Sequence, residues 1–227
     1  MSTSTRWTVA VMVVVVALGL ALWTQLGDNG SPTGSIGPGQ ARDRRDADTA
    51  EALAGPRARA DLPPCPSAGS GPGPEQSPDL RSWALRGITL ECAGDGTPVD
   101  VAKVVAGRTT VLNLWAYWCA PCAEELPAMA EYQRQAGPGV TVLTVHQDEN
   151  EAAALLRLAE LGVRLPTVQD GRRLIAAALH LPNVMPATVV LRADGSVAEV
   201  LPRSFASADE IAAAVGPEVG PKTGEPG

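Results

Sequence analysis

The chain has 227 residues, 45% hydrophobic, 19% charged and 4% aromatic, with a formal net charge of −7. That length fits one domain with appendages or two small domains, and the acidic balance argues against a nucleic-acid binder, which needs a basic face to neutralise phosphates. Twenty prolines and 23 glycines are more than one compact domain uses, so part of the chain is expected to stay unpacked. Four cysteines allow two disulfides or one metal site, and their spacing must decide between them.

Residues 1–6 carry Arg6 and the α-amino group and are expected in the cytoplasm. Trp7 to Gly27 follows as 21 residues without a charge, including the run Val13-Val14-Val15-Val16-Ala17-Leu18. A helix needs about 20 apolar residues to cross a bilayer, so 7–27 reads as a single membrane anchor. Trp7 and Trp23 stand near its ends as interfacial aromatics, and the positive-inside bias puts everything after Gly27 outside the cell membrane. The competing reading is a cleaved secretory signal. Gly19-Leu20-Ala21 is a weak cut site for it, because Leu22 and Trp23 prolong the apolar run. No cysteine follows the run for a lipoprotein cut, and Arg44-Arg45 lies after it, which excludes a twin-arginine signal. Either main reading delivers the rest of the chain to an oxidising compartment.

Residues 28–80 contain Gly30-Ser31-Pro32, Gly37-Pro38-Gly39, Leu62-Pro63-Pro64-Cys65-Pro66 and Gly69-Ser70-Gly71-Pro72-Gly73-Pro74, with few large apolar side chains. Such a segment cannot offset its ordering entropy and is expected to be a flexible tether, the charged stretch Arg42 to Ala54 forming at most a short surface helix. A flexible chain of about 50 residues has an r.m.s. span of ~40 Å, room for the domain beyond it to reach targets along the membrane.

The packed domain is expected over 81–216, beginning near Trp83. Thr109 to Ala116 reads as a buried strand, and Cys119 to Gln135 as a helix with Cys122, Leu126, Met129, Ala130 and Gln133 at i, i+3, i+4 spacing. Val140 to His146 is a second buried strand. Asp148 and Glu151 resemble a capping box, opening a helix with Ala152, Leu155, Leu156 and Ala159 that Gly162 stops. Thr188 to Arg192 and Val197 to Leu201 flank Asp194-Gly195, a hairpin signal. Ser207 and Glu210 form a second capping box for a last helix ending near Gly216, and 217–227 reads as a loose Gly/Pro tail. The sum is an α/β fold, a mixed central sheet with helices on both faces.

The chemistry sits at Trp118-Cys119-Ala120-Pro121-Cys122, where a buried strand runs into a helix. Two sulfurs meeting across one helical turn close a small ring, the geometry of a reversible disulfide. Cys119 at the helix N-terminus lies where unpaired N–H groups and the helix dipole favour a thiolate, so it is the exposed nucleophile, and Cys122, one turn inside, is the buried resolving thiol. Pro121 withholds a donor that the first turn does not need, and Trp118 can shield one side of the sulfurs. Half of a zinc site is the alternative, but it lacks further ligands: Cys65 and Cys92 are not a second Cys-X-X-Cys pair, and His146 and His180 show no ligand spacing. No metal and no cofactor are expected.

Asn113 to Pro127, reading Asn-Leu-Trp-Ala-Tyr-Trp-Cys-Ala-Pro-Cys-Ala-Glu-Glu-Leu-Pro, resembles the TlpA/ResA branch of the thioredoxin superfamily. With the single anchor it is most similar to actinobacterial membrane-anchored thioredoxin-like proteins linked to cytochrome c maturation. The resemblance covers roughly residues 83–216 and implies a thioredoxin fold with Cys119 and Cys122 as the active dithiol. By position, Pro127 matches the proline that bends the first helix, and Pro186 in Asn183-Val184-Met185-Pro186-Ala187-Thr188 matches the family's cis-proline. The backbone of Met185 would then be the edge that pairs with a substrate strand. Met185 and Ala187 depart from the residues the family often carries beside that proline. Asn113 stands where cytoplasmic thioredoxins carry a buried Asp, so the proton acceptor must come from elsewhere. Glu125, three residues after Cys122 on the same helical face, matches the active-site Glu of the branch and can take the Cys122 proton; a solvent-facing helix residue is the alternative reading, and the one Glu124 fits better.

Cys65 and Cys92 are the remaining cysteines of an extracytoplasmic segment, so pairing is the default. Their bridge would pin the end of the tether to the first strand of the domain, with a second redox relay as the alternative. The function implied by the resemblance is a thiol-disulfide oxidoreductase acting on disulfide-containing proteins, apocytochrome c among them, with electrons from a membrane donor of the CcdA type. Net oxidation or isomerisation of secreted disulfides stays open as a second direction. A module carrying copper or another thiophilic ion on the dithiol is the reading from a different class.

Overall fold

The computed structural model describes residues 49–67 and 84–219. The expected anchor over 7–27 lies outside these residues, as do 28–48 and 68–80 of the expected tether. Among the described residues no helix is long and apolar enough to cross a membrane.

In chain order the helices are α1 (Ala50–Ala60), α2 (Val101–Val105), α3 (Ala120–Ala136), α4 (Glu151–Leu161), α5 (Leu174–Ala178) and α6 (Ala208–Val219). The strands are β1 (Thr89–Cys92), β2 (Pro98–Asp100), β3 (Thr109–Trp115), β4 (Val140–His146), β5 (Thr167–Gln169), β6 (Ala187–Leu191) and β7 (Val197–Leu201). They form one mixed sheet in the order β2-β1-β5-β4-β3-β6-β7. β4 runs parallel to both β3 and β5, while β6 is antiparallel to β3 and β7 antiparallel to β6. This is the thioredoxin-like α/β arrangement that the resemblance implied.

β3 is central and buried on both faces, as its unbroken apolar run requires. Because side chains alternate along a strand, Val111 and Trp115 pack on the face covered by α3, α4 and α6, with Leu126, Met129, Leu158 and Ile211. Leu112 and Leu114 pack on the other face, with Val101 of α2 and Ile175 of α5. Asn113 is therefore turned toward α3.

The two long parallel strands and the helices that follow them stand where the periodicity places them. Three features differ. Asn150, not Asp148, caps α4, its side chain accepting from the Ala153 N–H at 3.0 Å, while Gly162 ends that helix in the left-handed region at φ 65°. The last helix passes Gly216 and runs to Val219. The first strand expected at Cys92 is β1, whereas the short elements β2, β5, α2 and α5 were not expected, since three to five residues leave no readable periodicity.

The main correction concerns the tether. Residues 50–67 were expected within a flexible segment, yet 50–60 form α1 and pack on the domain. Thr49 caps α1 by accepting from the Ala52 N–H. Leu53 and Ala60 are buried against Ala93 and Leu155 of α4. Arg57 reaches across to Glu91 and, at 3.0 Å, to Glu151, while its Nε donates to the Ala93 carbonyl at 3.2 Å. At Gly96 the φ of +79° favours glycine, and a Cβ there would come within 2.7 Å of Arg57 Nη1, so the guanidinium would have to shift. Beyond α1 the chain runs to Cys65, which is disulfide-bonded to Cys92 with Cα atoms 5.8 Å apart. The segment carries too few apolar residues to order itself; what orders it is non-local.

The bridge joins residues 27 apart in sequence. Cys65→Ala/Cys92→Ala should lower the unfolding free energy by ~3.5 kcal/mol by the loop-entropy relation. Chemical denaturation with the Cys119–Cys122 pair kept oxidised measures it, and α1 amides should exchange faster in the variant.

Candidate active site

The site is built where β3 ends and α3 begins. The Cys119 N–H donates to the Ala116 carbonyl at 3.0 Å, turning the chain, and Cys119 becomes the N-cap of the 17-residue helix α3. Its Sγ accepts from the Cys122 N–H at 3.3 Å and is bonded to Cys122 Sγ at 2.03 Å. A negative sulfur at this place faces first-turn N–H groups and the positive end of a long helix. Pro121 occupies the first turn, where no donor is lost. In the disulfide state Cys119 is 5% exposed and Cys122 fully buried. The order of accessibility is the expected one, but the nucleophile is recessed rather than open.

Glu125 is one turn beyond Cys122 on the buried face of α3 and has no exposed surface. Its Oε2 accepts from Asn113 Nδ2 at 2.9 Å, and Oε1 makes no hydrogen bond of ordinary geometry. Burial pushes the Glu125 carboxyl up from 4.5 to about 7; the Asn113 amide, the Phe205 backbone N–H and the Arg203 guanidinium pull the other way without cancelling it. Glu125 is thus no solvent-facing helix residue; Glu124, its neighbour, is exposed.

Asn113 sits in a polar row that the strand register creates. Its Cα partners are Thr144 on β4 and Thr188 on β6, and Thr144 pairs with Thr167 on β5. All four are buried, and by strand alternation all face α3. Thr144 and Thr167 share a hydroxyl hydrogen bond at 2.8 Å. Sequence reasoning missed this row, although polar residues interrupting the apolar strands, Asn113, Thr144, Thr167 and Thr188, were the visible signal.

The Met185–Pro186 peptide bond is cis. Because Ala187 pairs with Leu114 across the β3–β6 ladder, Pro186 stands beside the end of β3 that leads into the cysteines. Met185 packs against the cluster that contains Cys119 and Cys122. Trp118 is 58% exposed and its indole donates to Asp148 Oδ2 at 3.0 Å. Pro127 lies within α3, which runs through it unbroken. The structure therefore gathers Trp118, Cys119, Pro121, Cys122, Met185 and Pro186 at one end of the sheet, with Asn113 and Glu125 beneath. Cys65 and Cys92 form a separate disulfide on β1. Among the described residues, no three or more His, Cys, Asp or Glu side chains gather as a metal site would require.

The comparisons with known proteins agree with this geometry. A family model described as Redoxin matches residues 74–211. The thiol-disulfide oxidoreductase ResA of Bacillus subtilis (strain 168) is 31% identical over 96 residues, covering 42% of this chain and 53% of its own. ResA of Bacillus anthracis is 30% identical over 107 residues, 46% of this chain and 60% of that protein. The chain thus spans roughly half of the curated relatives it matches. A secreted thiol-disulfide isomerase from Corynebacterium glutamicum superposes with a TM-score of 0.53 at 26% identity, covering 60% of this chain and 84% of that one. A secreted Mycobacterium tuberculosis disulfide oxidoreductase homologous to E. coli DsbE gives 0.51 at 25% identity, covering 59% and 97%.

A carboxyl whose folded value is raised binds its proton more tightly in the folded state. Its contribution to stability is full below about 4.5 and is lost as pH rises toward about 7. Glu125→Gln, which keeps an acceptor for Asn113, should therefore match the wild type near pH 4 and exceed it above pH 7 by up to about 3 kcal/mol. Denaturation of the oxidised proteins across that range checks it.

Proposed function

The chain belongs to the redoxin family, with ResA-type proteins among its relatives, and from that premise we propose that it is a thiol-disulfide oxidoreductase. The observation that carries this reading is the Cys119–Cys122 disulfide capping α3, with a buried, proton-holding Glu125 one turn on.

In the reducing direction the reduced protein presents Cys119 as a thiolate at the helix N-terminus. Cys119 Sγ attacks one sulfur of a substrate disulfide; that S–S bond breaks, a mixed disulfide forms and the other substrate sulfur leaves as a thiolate that takes a proton. Cys122 then gives its proton to the Glu125 carboxylate and attacks Cys119 Sγ, releasing the second substrate thiol. Two electrons have passed to the substrate, and the protein is left in the disulfide state described above. A carboxyl with a value of about 7 can hold or release that proton near neutral pH. The backbone of Met185 beside cis-Pro186 and the exposed Trp118 are the surfaces along which an extended substrate lies.

The protein works outside the cell membrane, held by the uncharged run 7–27 with Arg6 on the cytoplasmic side. Its substrates are disulfides of proteins, among them the disulfide that the haem-binding cysteines of apocytochrome c form, and its electrons come from a membrane thiol donor of the CcdA type. The likeness to a thiol-disulfide oxidoreductase, ResA, and to a secreted disulfide oxidoreductase supports the action on disulfides. Restoring the reduced state requires such a donor, since exchange alone leaves the protein oxidised.

Cys119→Ser should abolish disulfide exchange, whereas Cys122→Ser should accumulate a mixed disulfide with substrate, visible as a non-reducing gel adduct that dithiothreitol releases. Exchange by the Cys119→Ser protein would overturn the mechanism. The reduction potential of the pair sets the direction: a value near about −270 mV makes a reductant and one near about −120 mV an oxidant.

A further inference from the structure

Resting on the oxidoreductase reading, we infer that Asp148 is a positioning residue: it fixes the exposed Trp118 indole beside the active disulfide and so sets affinity for polypeptide disulfides over small ones. Trp118 directly precedes Cys119, and at 58% it is the most exposed large hydrophobic side chain among the described residues. An indole that far into solvent has few packing contacts to select one rotamer. The hydrogen bond from its Nε1 to Asp148 Oδ2 at 3.0 Å supplies the selection.

Asp148 is itself held from three sides. Its Oδ1 accepts from the Asn150 N–H at 2.9 Å, and its carbonyl accepts from Gln169 Nε2 at 2.6 Å. Gln169 Oε1 meets His146 Nδ1 at 2.8 Å. The buried His146 ring lies 4.9 Å from Trp115 and 6.1 Å from Tyr117. The loop after β5 closes on the same segment, since a Cβ at Gly171 would come within 3.1 Å of Glu149 Cα and 3.3 Å of the Asp148 carbonyl. These groups belong to one register row: Trp115 pairs with His146, and His146 with Gln169. The chain Trp118–Asp148–Gln169–His146 thus ties a solvent-exposed aromatic to the rigid end of the sheet.

Trp118 directly precedes Cys119, and Val184, 39% exposed, belongs to the loop that leads to cis-Pro186. A polypeptide running across Cys119 reaches both, and an indole already fixed spares the binding cost of immobilising a side chain. A small disulfide needs only the sulfurs.

The test compares the full chain in detergent, reducing scrambled ribonuclease A and oxidised glutathione with dithiothreitol as the electron donor and its uncatalysed rate subtracted. Asp148→Ala should raise KM for the ribonuclease about fivefold, with kcat held within about twofold and the glutathione rate unchanged. Gln169→Leu should act in the same direction, and Asp148→Asn, which keeps one acceptor oxygen where the carboxylate uses two, should fall between the wild type and Asp148→Ala. The Trp118 indole N–H resonance, identified by its loss in Trp118→Phe, should shift and exchange faster in Asp148→Ala. An unmoved resonance, or an equal loss on both substrates, overturns the inference. A wild type inert toward both substrates overturns the oxidoreductase reading and this inference with it, whereas an active wild type with unaffected Asp148→Ala kinetics overturns the inference alone.

Discussion

The burial of β3 on both faces is the constraint on which the rest of this structure depends. A strand between β4 and β6 with helices above and below must send alternate side chains to opposite cores. That alternation aims Val111, Asn113 and Trp115 at the helix that begins immediately after the strand. The end of β3 turns at Cys119, so the active pair stands at the mouth of α3. Asn113 meets Glu125 one turn behind the resolving sulfur. A shift of one residue in register would place Asn113 among the side chains of the opposite core and leave Glu125 without its partner.

Electrostatics follow from that geometry. The carboxyl is held high because its removal from water outweighs the Asn113 amide and the Phe205 backbone N–H, while the Arg203 guanidinium is drawn to Glu210 at the start of α6. His146 is also buried, and burial holds it below its usual range, leaving it neutral with Gln169 as its partner. Beneath the disulfide, burial thus disfavours the charged forms of both Glu125 and His146.

The N-terminal segment shows how a stretch that looks disordered becomes part of a domain. α1 has only Leu53 and Ala60 buried, far too little to offset the entropy of eleven ordered residues. Its place is secured by contacts distant in the chain: Arg57 to Glu91 and Glu151, Arg164 to the Ala60 carbonyl and Asp61, and the Cys65–Cys92 bridge. Composition and periodicity are local measures and register none of these.

What the sequence determined by itself is what local pattern encodes: the buried strands β3 and β4, the amphipathic α3, the hairpin at Asp194-Gly195 and the Cys-X-X-Cys at a strand-to-helix junction. Hydrophobic period and motif spacing are sufficient there, because each element is long or its signature is contained in a few adjacent residues. Tertiary structure alone decided three things. It packed 50–67 onto the domain through partners 27 to 104 residues away. It assembled the polar row of Asn113, Thr144, Thr167 and Thr188 from four strands, a result of register that no single strand reveals. It made Glu125 a buried acid and Asp148 the holder of Trp118 rather than a helix cap, because a carboxylate's role depends on what desolvates it and which donors reach it, and those come from elsewhere in the chain.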